Sequence, residues 1–162
     1  MTQVYLDIGS NIDRRKNIQS CVDILRADFP DVQFSTAYES DAVGFDGDPF
    51  INLSASLTTD LDYQPFKAYL TALEDQHARK RDNKKFIART LDVDVLMFGD
   101  LVLQPAVDLP RAEILKFPFV LFPLLEIAAD AVHPELKKTI AEIARESKLD
   151  KHSLTEVKNF PL

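Results

Sequence analysis

The sequence predicts one α+β domain over residues 1–162, a ferredoxin-like split βαβ sandwich with helices packed mainly on one face of the sheet. Two observations carry this. Segments of strand and helix periodicity follow one another in the order β-α-β-β-α-β, and no internal repeat, low-complexity tract or linker divides the 162 residues. The length suits one sizeable core, and 46% hydrophobic with 28% charged residues is an ordinary globular balance.

Val4 to Ile8 alternates and is rich in strand formers, which predicts the first strand. Gly9-Ser10-Asn11 ends it and reads as a turn that lets the backbone pass close to a neighbour. Asp13 or Asn11 is placed to cap a helix from Lys16 to Asp28, whose Ile18, Cys21, Val22, Leu25 and Phe29 recur at three and four until Pro30 stops it. Val32 to Tyr38 reads as a second strand. Asp41 to Pro49 holds two of the four glycines and reads as a loop and candidate lid. Phe50 to Leu57 resumes strand character. Asp60 or Asp62 then opens a helix with Pro65 in its first turn and Phe66, Tyr69, Leu70 and Leu73 on one face, ending between Gln76 and Arg79.

Leu91 to Phe98 is the clearest strand, and Gly99-Asp100 predicts a hairpin turn into a strand at Leu101 to Leu103. After a looped segment from Leu109-Pro110, Phe119 to Ala128 reads as a short helix interrupted near Pro123. Glu135 to Ser147 reads as a further helix following Pro134, and Leu154 to Phe160 as an edge strand or loose tail.

The formal net charge of −7 argues against general nucleic-acid affinity, which needs a basic surface. No apolar run approaches the ~18 residues of a membrane span. The N-terminus lacks the order of a secretory signal, so a cytoplasmic protein without a membrane partner is expected. Cys21 has no partner for an internal disulfide and reads as a buried thiol rather than a reactive one. His77, His133 and His152 show no zinc spacing, and no Walker A or nucleophile-elbow motif is present.

The chemistry concentrates in Arg89-Thr90-Leu91-Asp92-Val93-Asp94-Val95-Leu96. Side chains alternate along a strand, so Leu91, Val93 and Val95 face the core while Asp92 and Asp94 share the other face, with Cα atoms about 6–7 Å apart. Two readings stand: a solvated polar face, or a hard-cation site, since Mg²⁺ takes oxygen ligands from one or two carboxylates and completes its shell with phosphates. Arg79, Lys80, Arg81, Lys84, Lys85 and Arg89, opposed only by Asp82, form a basic stretch beside the pair. Its arginines are suited to multi-donor phosphate contacts, the inventory phosphoryl transfer needs.

With these residues in view, the chain resembles the 6-hydroxymethyl-7,8-dihydropterin pyrophosphokinase family over nearly its whole length. The resemblance rests on Arg89-Thr90-Leu91-Asp92-Val93-Asp94, on Ile8-Gly9-Ser10-Asn11, and on the run from Phe119 to Ala128. It implies transfer of diphosphate from ATP to the hydroxymethyl group of a reduced pterin, with release of AMP, two Mg²⁺ ions and a monomeric enzyme. Asp92 and Asp94 would be the metal ligands, with Arg79, Arg81 and Arg89 as catalytic partners. Glu74, Arg79 and Arg89 would lie at the nucleotide. Ser40, Ala42, Val43, Gly44, Phe50 (a Tyr position in the family), Asn52 and Phe119 would line the pterin, Asn52 reading its polar edge and Phe119 stacking on its ring. From the residues alone, Phe119 reads first as plain core packing.

Some positions depart from the family pattern. Phe86-Ile87-Ala88 replaces the expected Trp-Gly-Pro before Arg89, Pro110-Arg111 replaces Pro-His, and Phe117 stands where an arginine is expected, with Lys116 beside it. The loop from Asp41 to Pro49 is also shortened. Arg111 and Lys116 are the residues left to reach phosphate. These changes gather on the side that closes over ATP, which leaves room for a homologue that uses another pterin-like alcohol or binds without efficient turnover.

Overall fold

The computed structural model describes residues 1–40, 49–77, 90–158 and 160. Six strands form one antiparallel sheet: β1 (Thr2–Ser10), β2 (Gln33–Phe34), β3 (Tyr38–Ser40), β4 (Phe50–Thr59), β5 (Asp92–Phe98) and β6 (Thr155–Glu156). They are ordered β5-β1-β4-β3-β6, with β2 also paired to β4. Among the described residues four α-helices accompany it: α1 (Arg14–Asp28), α2 (Tyr63–Gln76), α3 (Pro118–Ala128) and α4 (Ile140–Glu146).

The alternating residues of the three long strands build two different faces. Val4, Leu6 and Ile8 of β1, Ile51, Leu53, Ala55 and Leu57 of β4, and Val93 and Val95 of β5 form one buried face. The apolar sides of α1 (Ile18, Cys21, Val22, Leu25) and α2 (Phe66, Leu70, Leu73) cover it. At about 25 cal/mol per Å² of apolar surface, each fully buried Leu or Ile here contributes roughly 1.5–3 kcal/mol.

The opposite face is also covered, which corrects the expectation of a mainly one-sided sandwich. Leu96 and Met97 join Val120, Leu121 and Leu124 of α3 and Ile140 and Ile143 of α4 in a second core. Leu96 is an extra residue in the β1–β5 ladder, where the register passes from Leu6 opposite Val95 to Tyr5 opposite Met97. Such a bulge redirects side chains beyond it.

Other expectations are corrected by local chemistry. The strand expected at 32–38 splits into β2 and β3, because the Ser35 hydroxyl takes the Ser54 amide at 2.8 Å in place of a ladder carbonyl. Gly99 turns the chain with φ 54, yet no strand follows at 101–103, since the Leu103 amide bonds back to Leu109 O at 2.9 Å. α3 runs unbroken through Pro123, whose neighbours Leu121, Phe122 and Leu124 are buried, so packing outweighs the local cost of proline. The last helix starts at Ile140 rather than near 135: Thr139 and Glu142 form a reciprocal capping box there. Of the alternatives read from sequence, Asp13 rather than Asn11 and Asp62 rather than Asp60 stand at the N-caps, and neither caps its helix through its side chain. The tail does form an edge strand, β6 against β3.

Candidate active site

The site is built on the sheet's second face, where the pleat collects the polar residues of the central strands. Gly9 lies opposite Asp92 on β5 and opposite Asn52 on β4. One step along, Asp7 lies opposite Asp94 and opposite Ser54. Asn52 in turn faces Tyr38, and Phe50 faces Ser40. With strands about 4.7–4.9 Å apart, the Cα atoms of Asp92 and Asn52 are roughly 10 Å apart across Gly9. A Cβ on Gly9 would sit 2.7 Å from Asn52 Nδ2, so a larger residue there would displace the Asn52 side chain.

One expected acid, Asp94, and an unexpected pair converge. Asp7, Asp94 and Glu113 each bring a carboxylate oxygen within 4.8 Å of the others. Arg111 lies among them, its Nη2 3.6 Å from Asp94 and 3.1 Å from Glu113. Burial, with the charges of Asp94 and Glu113, holds Asp7 well above the usual carboxylate range, against the opposing pull of Asn52 and Arg111. Burial also raises Asp94, Arg111 counters it, and Asp92 and Glu113 add to the rise. The aspartates on β5 are each partly exposed.

This donor set fits Mg²⁺. It is all oxygen, clustered and overcharged: three carboxylates against one guanidinium leave two formal negative charges when all are ionised, the charge of one divalent cation. Of the pair expected from sequence, Asp94 belongs to this cluster, and Asp92 is the next residue along the same face of β5.

The strand that presents the pair is fixed from its outer edge. Glu74 Oε2 accepts the Val93 amide at 3.0 Å, between the two aspartates, and the Arg111 amide bonds Leu96 O at 2.9 Å. The Ser10 hydroxyl donates to Thr90 O, and Asn17 Nδ2 bonds Ile12 O at 2.7 Å. An edge strand is thereby given partners where it would otherwise fray.

The expected pterin-lining residues Ser40, Phe50 and Asn52 come together on the β3–β4 pair. Arg14 secures both flanks of the intervening segment, pairing with Glu39 at 3.0 Å and donating to Pro49 O at 2.9 Å. Phe119 is half-buried at the start of α3 and stacks on Phe117, ring centroids 5.0 Å apart. Glu126 ties α3 to the sheet by accepting the Thr36 amide at 3.0 Å and the Tyr38 hydroxyl, and burial with this contact pushes Tyr38 up to about 12. Lys116 is exposed beyond the cluster. Ala42, Val43, Gly44, Arg79, Arg81 and Arg89, with the Phe86–Ala88 departure, lie outside the described residues.

Sequence reasoning missed Asp7 and Glu113. Asp7 carried a signal: an acid in the polar phase of a central strand, where Asp is a poor former. Glu113 sits in a short 3-10 turn, Ala112–Leu115, and had none.

An α+β sheet carrying a carboxylate cluster suited to a hard cation defines a candidate metal-dependent class of site. A profile of the family described as 7,8-dihydro-6-hydroxymethylpterin-pyrophosphokinase matches residues 5–129. A 2-amino-4-hydroxy-6-hydroxymethyldihydropteridine pyrophosphokinase of Aquifex aeolicus is 32% identical over 152 residues, covering 92% of this chain and 94% of that protein. One from Pseudomonas aeruginosa is 34% identical over 139 residues, covering 82% and 85%. A folic acid synthesis protein of Dictyostelium discoideum is 27% identical over 139 residues, 84% of this chain but 21% of that longer protein. The chain belongs to the 7,8-dihydro-6-hydroxymethylpterin-pyrophosphokinase family.

Proposed function

We propose that the chain is a 2-amino-4-hydroxy-6-hydroxymethyldihydropteridine diphosphokinase of folate biosynthesis. It transfers diphosphate from ATP to 6-hydroxymethyl-7,8-dihydropterin and releases AMP. The single observation that supports this is the row Asp92–Gly9–Asn52 across three strands, which would put a carboxylate for the cation and a carboxamide for the ring roughly 10 Å apart at their Cα atoms. On this reading a pterin-pyrophosphokinase-like domain spans 1–162, its strand order supports the ferredoxin-like split βαβ description, and the enzyme is a cytoplasmic monomer. Among the described residues no helix is long and apolar enough to cross a membrane.

Two Mg²⁺ ions on Asp92 and Asp94 would supply charge neutralisation for the triphosphate and make the pterin hydroxyl a better nucleophile. The pterin hydroxyl oxygen bonds to the β-phosphorus as the bond from that phosphorus to the α,β-bridging oxygen breaks; the bridging oxygen leaves on AMP, and the hydroxyl proton is released to solvent. The protein's part is positioning. Glu74 and the Arg111 amide hold the strand bearing both aspartates, while Asn52, Phe50, Ser40 and Phe119 orient the ring. Arg79, Arg81, Arg89 and Lys116 complete the reading as phosphate contacts, with Ala42, Val43 and Gly44 at the ring.

A coupled assay for AMP formed from ATP tests this: release should require both the pterin alcohol and Mg²⁺. Background-level AMP with both substrates bound would favour a second reading, a homologue that uses another pterin-like alcohol or binds without turnover. The engagement of Arg111 by Asp94 and Glu113, and the stacking of Phe117 on Phe119, favour that alternative.

A further inference from the structure

We infer that Arg111 is a resident counter-ion of the site, which holds the place of a divalent cation at Asp94 and ties uptake of the metal to arrival of the nucleotide. The inference rests on the metal and ATP reading above and adds to it the residue that couples the two ligands.

The contact is close and charged. Arg111 Nη2 lies 3.1 Å from Glu113 Oε1 and 3.6 Å from Asp94 Oδ2. Oxygens of those two acids and of buried Asp7 lie within 4.8 Å of one another, so the guanidinium stands against the donor set a cation would use. A guanidinium keeps its proton at any working pH, so it gives up this position only by moving. A divalent ion on the same carboxylate would face a positive charge a few ångströms away, and in a half-buried site that repulsion is far stronger than in water.

The way Arg111 is held leaves its side chain able to move. Both contacts run through one nitrogen, Nη2, whereas a locked arginine–carboxylate pair engages two nitrogens in parallel. Its Nε is buried and has no hydrogen-bond partner among the described residues. The side chain is 28% exposed, which gives it a way out of the cluster. The backbone on either side is anchored: the Arg111 amide bonds Leu96 O at 2.9 Å, Pro110 O accepts from Gln104 Nε2 at 3.1 Å, and the Ala112 amide bonds Asp108 Oδ1 at 3.0 Å. A triphosphate offers what the present contact lacks, anionic oxygens that two guanidinium nitrogens can meet at once. Nucleotide thereby draws Arg111 off Asp94 and frees that carboxylate for the ion, and by linkage the ion favours nucleotide to the same degree.

Mn²⁺ binding to the full chain tests this, because Mn²⁺ takes the oxygen ligands that Mg²⁺ takes and its free concentration is read by electron paramagnetic resonance. Without nucleotide, Arg111→Gln is expected to bind Mn²⁺ about tenfold more tightly than the parent chain. With a saturating non-hydrolysable ATP analogue, and the analogue's own affinity for Mn²⁺ entered in the fit, the two chains should agree within about twofold. Unaltered or weaker Mn²⁺ binding by the nucleotide-free variant, the result for an arginine that only braces its turn, would overturn the inference alone. So would equal tightening with and without the analogue, the mark of a general charge effect. Failure of both chains to bind Mn²⁺ in either state would overturn the metal reading and the inference with it. Arg111→Met, which removes the charge but keeps an unbranched side chain, decides the matter if Arg111→Gln does not fold.

Discussion

Replacing Asp7 by Asn should stabilise the ligand-free protein, and the gain should depend on pH and on Mg²⁺. Asp7 is buried with carboxylate oxygens of Asp94 and Glu113 no more than 4.8 Å away. Two unit charges at that distance repel by about 3.5 kcal/mol at an effective dielectric of 20. Arg111 cancels part of this, leaving a net gain of about 2 kcal/mol for the isosteric neutral side chain. In a domain of this size that is a rise in Tm of roughly 4–8 °C. The sign with pH follows from the raised acid. Between about pH 4, where an unfolded Asp loses its proton, and its higher native value, the folded state holds more protons than the unfolded one. Wild-type stability therefore falls as pH rises through that window. The advantage of Asp7→Asn should be near zero at pH 4, largest at pH 8, and reduced at saturating Mg²⁺, which relieves the same repulsion. Differential scanning calorimetry at pH 4, 6 and 8, with and without Mg²⁺, measures all three. A variant no more stable than the parent at pH 8, or one equally favoured at pH 4 and pH 8, would refute the reasoning.

Asp94→Ala should reduce AMP formation at least a hundredfold with an unchanged far-UV circular dichroism spectrum, and near-parent activity at millimolar Mg²⁺ would remove the metal assignment. Glu74→Ala should leave the Val93 amide without its acceptor and raise the Mg²⁺ concentration for half-maximal activity severalfold, while Glu74→Gln, which keeps an oxygen there, should restore most of it. Cys21, pushed up to about 12 by burial and by Glu74, should not react with a thiol reagent at pH 8 until the protein unfolds, and fast native labelling would contradict the packing of α1.

How far the sequence carried these conclusions depends on where each signal resides. Long periodic segments were legible because their alternation or helical spacing is enforced by a single large core: β1, β4, β5, α1 and α2 lie where the pattern puts them. Polar substitutes for backbone partners were not. The Ser35 hydroxyl that breaks the second strand and the Glu126 carboxylate that holds α3 over it act across 19 and 90 residues of chain. The capping box at Thr139–Glu142 was readable, but Pro134 gave a competing helix start. Of the site, Asp92 and Asp94 announced themselves as acids in an apolar strand. Their neighbours Asp7 and Glu113 belong to other segments, and only the ladder register and the return of the Arg111 segment to Leu96 bring them in. Asn52 and Gly9 were each noted in sequence, yet their dependence on one another is a matter of cross-strand contact.

A crystal structure of the chain with a non-hydrolysable ATP analogue, Mg²⁺ and the pterin alcohol addresses the central claim most directly. The expected result is Mg²⁺ about 2.0–2.1 Å from carboxylate oxygens of both Asp92 and Asp94, with phosphate oxygens completing the shell. Nucleotide and cations seated elsewhere, with those two carboxylates contacting only protein and water, would contradict it.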